Sequence, residues 1–228
     1  MSVEKFVRAL KKSPEGAIFN PWYDVDKDND STKSAPKIRR EQLTQYLKER
    51  QEPAKLLLIA EAVGYQGGHF TGMAMTSERI LLGHQAKKGI LPEHVFQGIA
   101  PRRTSKKEVR DLGFNEPTAT IVWSTLLDSG QSPYEFVLWN IFPWHPIRLN
   151  SDKGTLTNRT PTDAELLYAK PALQKFLALF PERPIVAIGK KSHGTLENMG
   201  IESIPVRHPA NGGATLFRQQ FTNYLNTL

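Results

Sequence analysis

The sequence contains no cysteine, which excludes disulfides, thiolate catalysis and any cysteine-ligated zinc or iron–sulfur centre. It also has no uninterrupted apolar run of about eighteen residues, the length a membrane-spanning helix needs. The first residues, MSVEKFVRALKKS, thread charges through their apolar positions, so no secretory signal is readable. A soluble, cytoplasmic protein with no membrane contact is therefore expected. Neither a GxSxG elbow nor a GxxxxGK(S/T) loop occurs, which argues against a serine hydrolase and a P-loop NTPase. Internal repeats and low-complexity tracts are missing too.

What is present is a chain of 228 residues with a formal charge of +7. That length suits a single domain with a substantial core, residues 1–228, carrying a helical extension over 1–54. The basic balance suits a polyanionic partner, because lysine and arginine that neutralise phosphates release condensed counterions. Charge alone shifts the expectation only modestly.

Apolar residues at Val3, Phe6, Val7 and Leu10 have the spacing of one helix face, which predicts a short helix over Val3–Lys12. The stretch 24–37 is polar and rich in turn formers, and it reads as an exposed loop leading to a second helix over Ile38–Glu52. Short apolar runs at 55–62, 136–142, 184–189 and 203–206 read as buried parallel strands. Helical patterns over 118–129, 162–180 and 215–225 alternate with them, so an α/β sheet covered on both faces is expected. Residues 82–107 read as a basic, loop-rich insertion, either solvated or set against a phosphate backbone.

In open α/β sheets, ligands bind beyond the carboxyl ends of the strands, and polar clusters fall at such ends here. Glu61 closes the first strand before a loop with Gly64, Gly67, Gly68 and Gly72. It reads either as a helix cap or arginine partner, or as a working carboxylate beside a loop that admits close approach. Asn140 lies inside an apolar strand, where its amide needs partners. Holding a neighbouring loop and reading a ligand are equal alternatives, and an amide's adjacent donor and acceptor match the O4 and N3–H edge of a uracil-like ring. The GKKSHG stretch follows the third strand as a further polar cluster. His208, preceded by Arg207 and followed by Pro209-Ala210-Asn211-Gly212-Gly213, ends the last strand in a polar turn, where an imidazole is more often functional than in a core.

These residues carry a family resemblance. IAEAVGYQGGHFTGMAMTSE resembles the first motif of uracil-DNA glycosylases, whose iron–sulfur (family 4-like) branch reads GEAPG. VRHPANGG resembles the second motif, a histidine–proline turn. Between them VLWNIFPWHP, NRTPTDAEL and PIVAIGKKS are similar to that branch's asparagine-bearing strand, its NRxPTxxE segment and its VxALG strand. The likeness runs from about Lys55 to the C-terminus with the motifs in order, which is far more specific than any single match.

The resemblance implies a three-layer α/β/α sandwich on a four-stranded parallel sheet, binding uracil-containing DNA, duplex or single-stranded, as a monomer. It implies a DNA-repair enzyme, a monofunctional uracil-DNA glycosylase that flips the base and hydrolyses its glycosidic bond with water as nucleophile, without metal or cofactor. Carried over by position, Glu61 matches the glutamate that orients water and His208 the histidine that stabilises the departing base. Asn140 matches the residue that reads the uracil edge, and the backbone N–H of Ala62 is a further donor. Arg207, Asn211 and Gly212 fall on the DNA side of the second motif. Two alignments compete for the residue stacked on the base: Phe70, favoured as an aromatic, and Met75, favoured by spacing from Ala62.

The chain departs from the family pattern at Ala60 and Val63, where the branch has glycine and proline. The cluster cysteines are absent, and packing by Trp22, Trp139 or Trp144 is a substitute for that staple. Asn211-Gly212-Gly213 replaces a serine-bearing version of the second motif. Gly64 stands where the most uracil-strict branch has a tyrosine, which implies a wider base range. Two other classes fit the residues: a catalytically silent nucleic-acid-binding relative, and an unrelated α/β nucleotide hydrolase using Glu61 and His208 as base and acid.

Overall fold

The computed structural model describes residues 1–149 and 151–228. In chain order the elements are α1 (Val3–Ala9), β1 (Ile18–Phe19), α2 (Ala35–Lys48), β2 (Leu56–Ala62), α3 (Gly68–Thr71), α4 (Glu78–Leu81), α5 (Pro117–Asp128), β3 (Phe136–Phe142), β4 (His145–Pro146), α6 (Asp163–Leu177), β5 (Ile185–Ile188), α7 (Lys190–Asn198), β6 (Ile204–Val206) and α8 (Ala214–Leu225). The four-stranded sheet has the order β3-β2-β5-β6 and is parallel throughout. It is the expected α/β sheet flanked by helices.

The strands form where the apolar runs predict them, since a strand covered on both faces needs no polar alternation. All of β3 is buried, as is β2 up to Ala60. Register matters for the site. Ala60 is paired with Asn140, so both side chains leave the same face of the sheet. Helix α5 starts at Pro117, whose missing N–H costs nothing in a first turn. Helix α6 is opened by a capping box in which Thr162 accepts from the N–H of Glu165 and Glu165 from that of Thr162.

The aromatic residues tie the helices to the sheet. Trp22 stacks on Trp139 at 6.0 Å between ring centroids, and Trp139 on Phe176 at 4.7 Å. Trp144 Nε1 donates to the Leu10 carbonyl at 3.2 Å, closing α1 onto this layer.

Several boundaries and two stretches differ from the sequence reading. Helix α1 ends at Ala9, and α2 begins at Ala35 because Pro36 serves its first turn. The stretch 24–37 is not an exposed loop: Asp26, Asn29 and Asp30 are buried. Its charges are used internally, as the Arg39 guanidinium meets both oxygens of Asp30 at 2.7 and 3.0 Å. Residues 82–107 are not merely solvated either, because Ile90, Val95 and Phe96 enter the core and Glu78 accepts from the N–H groups of Thr104 and Ser105. The GKKSHG polar cluster forms the start of α7, held to β2 by Ser192 Oγ donating to the Ile59 carbonyl at 2.6 Å.

Candidate active site

A cavity of about 550 Å³ opens at the carboxyl end of β2, against the turn that follows β6. Glu61, Ala62, Gly64, Met75, His208 and Asn211 line it, and so do Glu116, Asn158 and Arg159. A larger groove of about 690 Å³ lies between α1 and α2, but its acids Glu4 and Glu41 are neutralised by Lys48 and Arg102. The smaller cavity is where unpartnered polar atoms collect. Glu61 Oε1 and Glu116 Oε2, on its wall, are buried without a hydrogen-bond partner among the described residues. So is Asn140 Oδ1, on the sheet face it shares with the cavity-lining Ala60. Buried oxygens left open in this way are costly unless a ligand or water fills them.

His208 sits close because Gly189 makes room for it. A Cβ on Gly189 would lie 3.2 Å from that of His208, and φ there is +94°. The His208 Nδ1 accepts the backbone N–H of Ala210 at 3.1 Å. Burial first, and then the neighbouring Arg207 charge, lower its pKa from the ordinary imidazole value. The ring is thus neutral at pH 7 and carries its proton on Nε2, a free donor. The turn that holds it needs left-handed backbone at Asn211 (φ +53°) and Gly212 (φ +76°), which asparagine and glycine tolerate. Arg207 and Gly212 are exposed beside the cavity and do not line it.

Glu61 is half-buried, with Lys191 Nζ 3.7 Å from Oε1, beyond hydrogen-bond reach. Of the two candidates for stacking on a ligand, Met75 lines the cavity and Phe70 does not. Phe70 is fully buried and stacked on Phe114 at 4.2 Å, a core contact. Met75 has φ +45°, a left-handed conformation that costs a non-glycine residue about 1 kcal/mol or more. Its carbonyl is held by Trp123 Nε1 at 3.1 Å, which fixes the strained residue at the cavity wall.

Three cavity residues were not singled out by sequence reasoning. Asn158 and Arg159 belong to the NRTPTDAEL segment, and Arg159 forks onto both oxygens of Glu165 at 2.7 and 2.6 Å, fixing the segment to α6. Glu116 carried no signal of its own, since a glutamate before a helix-starting proline reads as ordinary helix entry.

Behind Asn158 runs a buried chain of polar contacts. His145 Nε2 faces the Thr157 carbonyl at 2.7 Å and Asn158 Oδ1 at 3.1 Å, so this nitrogen bears a proton. Its Nδ1 lies 2.8 Å from Nδ1 of His69, whose Nε2 lies 3.0 Å from Asp26 Oδ2. Burial, joined by the His69 charge, lowers His145 to about 3, so its Nδ1 is an acceptor and His69 donates. A proton must then lie between His69 Nε2 and Asp26. Burial pushes Asp26 up, but hydrogen bonds from His69 and Thr155 outweigh it and hold the carboxyl well below its usual range. Burial also presses His69 toward neutrality, against the Asp26 carboxylate.

Comparison with known proteins agrees with this architecture. Residues 89–228, more than half of the chain, match the family described as the uracil DNA glycosylase superfamily. Glu61 and Met75 precede the matched segment. A search among curated proteins gives no match. The crystal structure of WT Pedobacter heparinus SMUG2 superimposes over 100% of this chain and 98% of its own, with a TM-score of 0.64 at 12% sequence identity, a likeness of fold. Among the described residues no helix is long and apolar enough to cross a membrane. By its family match, this chain belongs to the uracil DNA glycosylase superfamily.

Proposed function

We propose that the protein is a monofunctional DNA glycosylase that hydrolyses the N-glycosidic bond of a flipped uracil, with other deaminated bases as further substrates. The observation that carries this reading is the neutral His208, which lines the same cavity as Glu61 with its unpartnered carboxylate oxygen.

Glycosidic cleavage leaves a cation-like sugar and an anionic base. A neutral imidazole donor beside a base carbonyl stabilises the growing negative charge without giving up its proton beforehand. One such donor accounts for about 3–4 kcal/mol of barrier lowering. Glu61 favours the cationic sugar and accepts a proton from the incoming water. Asn140 fits base reading, since its open Oδ1 would accept N3–H of a pyrimidine from the sheet face beside Ala60. Met75 covers the base as a polarisable apolar wall. Arg207 and Asn211, exposed at the turn, face the DNA backbone, in keeping with a net charge of +7.

A labelled oligonucleotide containing one uracil tests the proposal. Incubation with the protein followed by alkali is expected to cut the strand at the abasic product. A retarded but uncut band identifies a binding protein without glycosylase activity.

A further inference from the structure

Glu116 stands in the residue before α5, yet its side chain does not cap that helix. The residue is half-buried and lines the cavity, and its Oε2 is buried without a hydrogen-bond partner among the described residues. Among the described residues it forms no ion pair, and burial raises its pKa to about 7. The chain opposite yields to it: a Cβ on Gly67 would lie 1.9 Å from Oε2. A carboxyl with one oxygen buried and unpaired, for which a glycine makes room, costs stability that an apolar side chain would not. It therefore requires an account outside folding.

We propose that Glu116 is a second base-reading residue of this cavity, its carboxyl donating a hydrogen bond to a carbonyl oxygen of a base with a lactam edge. This rests on the glycosylase reading of the site and adds to it the substrate class. The buried polar atoms left without a partner on the cavity wall, Glu61 Oε1 and Glu116 Oε2, are acceptors, as is Asn140 Oδ1 on the sheet face beside it, although Asn140 does not line the cavity. Uracil and hypoxanthine offer an N–H beside each carbonyl, so Asn140 meets the N–H while the carbonyls need donors. His208 supplies one and the acid form of Glu116 a second. When Glu116 ionises it becomes an acceptor facing a carbonyl, and lactam binding weakens. Cytosine, with an exocyclic amino group in place of O4, does not lose affinity in this way.

The other charged or titratable groups facing this cavity are Glu61 on β2, Arg159 before α6 and His208 after β6, with Lys191 of α7 beyond Glu61. On α3 the titratable group is His69, turned toward Asp26 and His145. These are common to wild type and a Glu116→Gln variant, so a comparison of the two isolates Glu116.

The test is a ligand-observed NMR titration of free uracil and cytosine into wild type and Glu116→Gln from pH 6 to 8. Wild type is expected to lose about tenfold in uracil affinity over this range, the fall in acid fraction of a group titrating near 7, while Glu116→Gln stays flat. In wild type alone, saturating uracil is expected to raise the titration midpoint of the Glu116 carboxyl followed by ¹³C NMR, a readout that needs no variant to fold. Parallel pH profiles for wild type and Glu116→Gln, an unmoved carboxyl midpoint, or no uracil binding at all would each overturn the proposal. Uracil excision with parallel profiles defeats only this inference. Absence of excision with the expected profiles defeats only the enzymatic reading.

Discussion

Gly67 and Glu116 occupy the same space: the position a Cβ would take on Gly67 lies 1.9 Å from the Glu116 Oε2 and 2.8 Å from its Cδ. The Gly67 backbone, at φ −129° and ψ −104°, lies outside the ordinary helical and extended regions and favours glycine as well. The loop after β2 and the residue before α5 are thus fitted to each other across the cavity.

Gly67→Ala is expected to push the Glu116 carboxyl out of its buried position. Because the displaced atoms are the end of a flexible side chain, the loss of stability should be modest, about 1–3 kcal/mol. The larger effect is on acidity: with burial relieved, the carboxyl falls from about 7 toward the ordinary range. Carboxyl ¹³C titration with a urea melt measures both. An unchanged midpoint would contradict the packing described.

Asn140→Leu removes the amide oxygen that accepts N3–H of the base from the buried strand. Uracil release should slow by about 10–100-fold, the loss of one reading hydrogen bond with its partner left open. Single-turnover rates on uracil and on hypoxanthine oligonucleotides check this. Equal rates in wild type and variant would remove Asn140 from base reading.

The Asp26–His69–His145 chain makes stability acid-sensitive. His145 titrates at about 3 when folded and near 6.5 when unfolded, so its contribution is complete above about 6.5 and is lost as pH falls toward 3. Asp26, also depressed, adds a loss in the same direction below about 4. The two together predict a fall on the order of 4 kcal/mol between pH 7 and pH 4, read from urea midpoints. Asp26→Asn weakens the buried hydrogen bonds from His69 and Thr155 and should cost about 1–3 kcal/mol at pH 7. Midpoints that do not move with pH would contradict this proton arrangement.

The sheet was legible because its strands are covered on both faces and so appear as uninterrupted apolar runs. LLLIA and FVLWNIF needed no tertiary information. The helix starts at Pro117 and Thr162 were legible for local reasons, a first-turn proline and a capping box. The stretch 24–37 was not, because a run of aspartates and lysines looks solvated until Arg39 and His69 arrive from elsewhere in the chain to bury it. At the site, Glu61 and His208 were legible as polar residues at strand ends, where parallel topology brings them to one rim. Phe70 carried the wrong geometry for a cavity wall: its aromatic character drew it into the core on Phe114, whereas Met75, at the strained bend, stayed at the cavity. Glu116 was invisible because its distinction is the absence of a partner, which no spacing of residues encodes.

The most direct measurement is the single-turnover rate of uracil release by wild type and by His208→Ala on the same oligonucleotide, with DNA affinity measured alongside. Loss of the Nε2–H donor should slow release by about 10²–10³-fold while affinity for the DNA stays within about threefold. Release at the wild-type rate by His208→Ala would contradict the account.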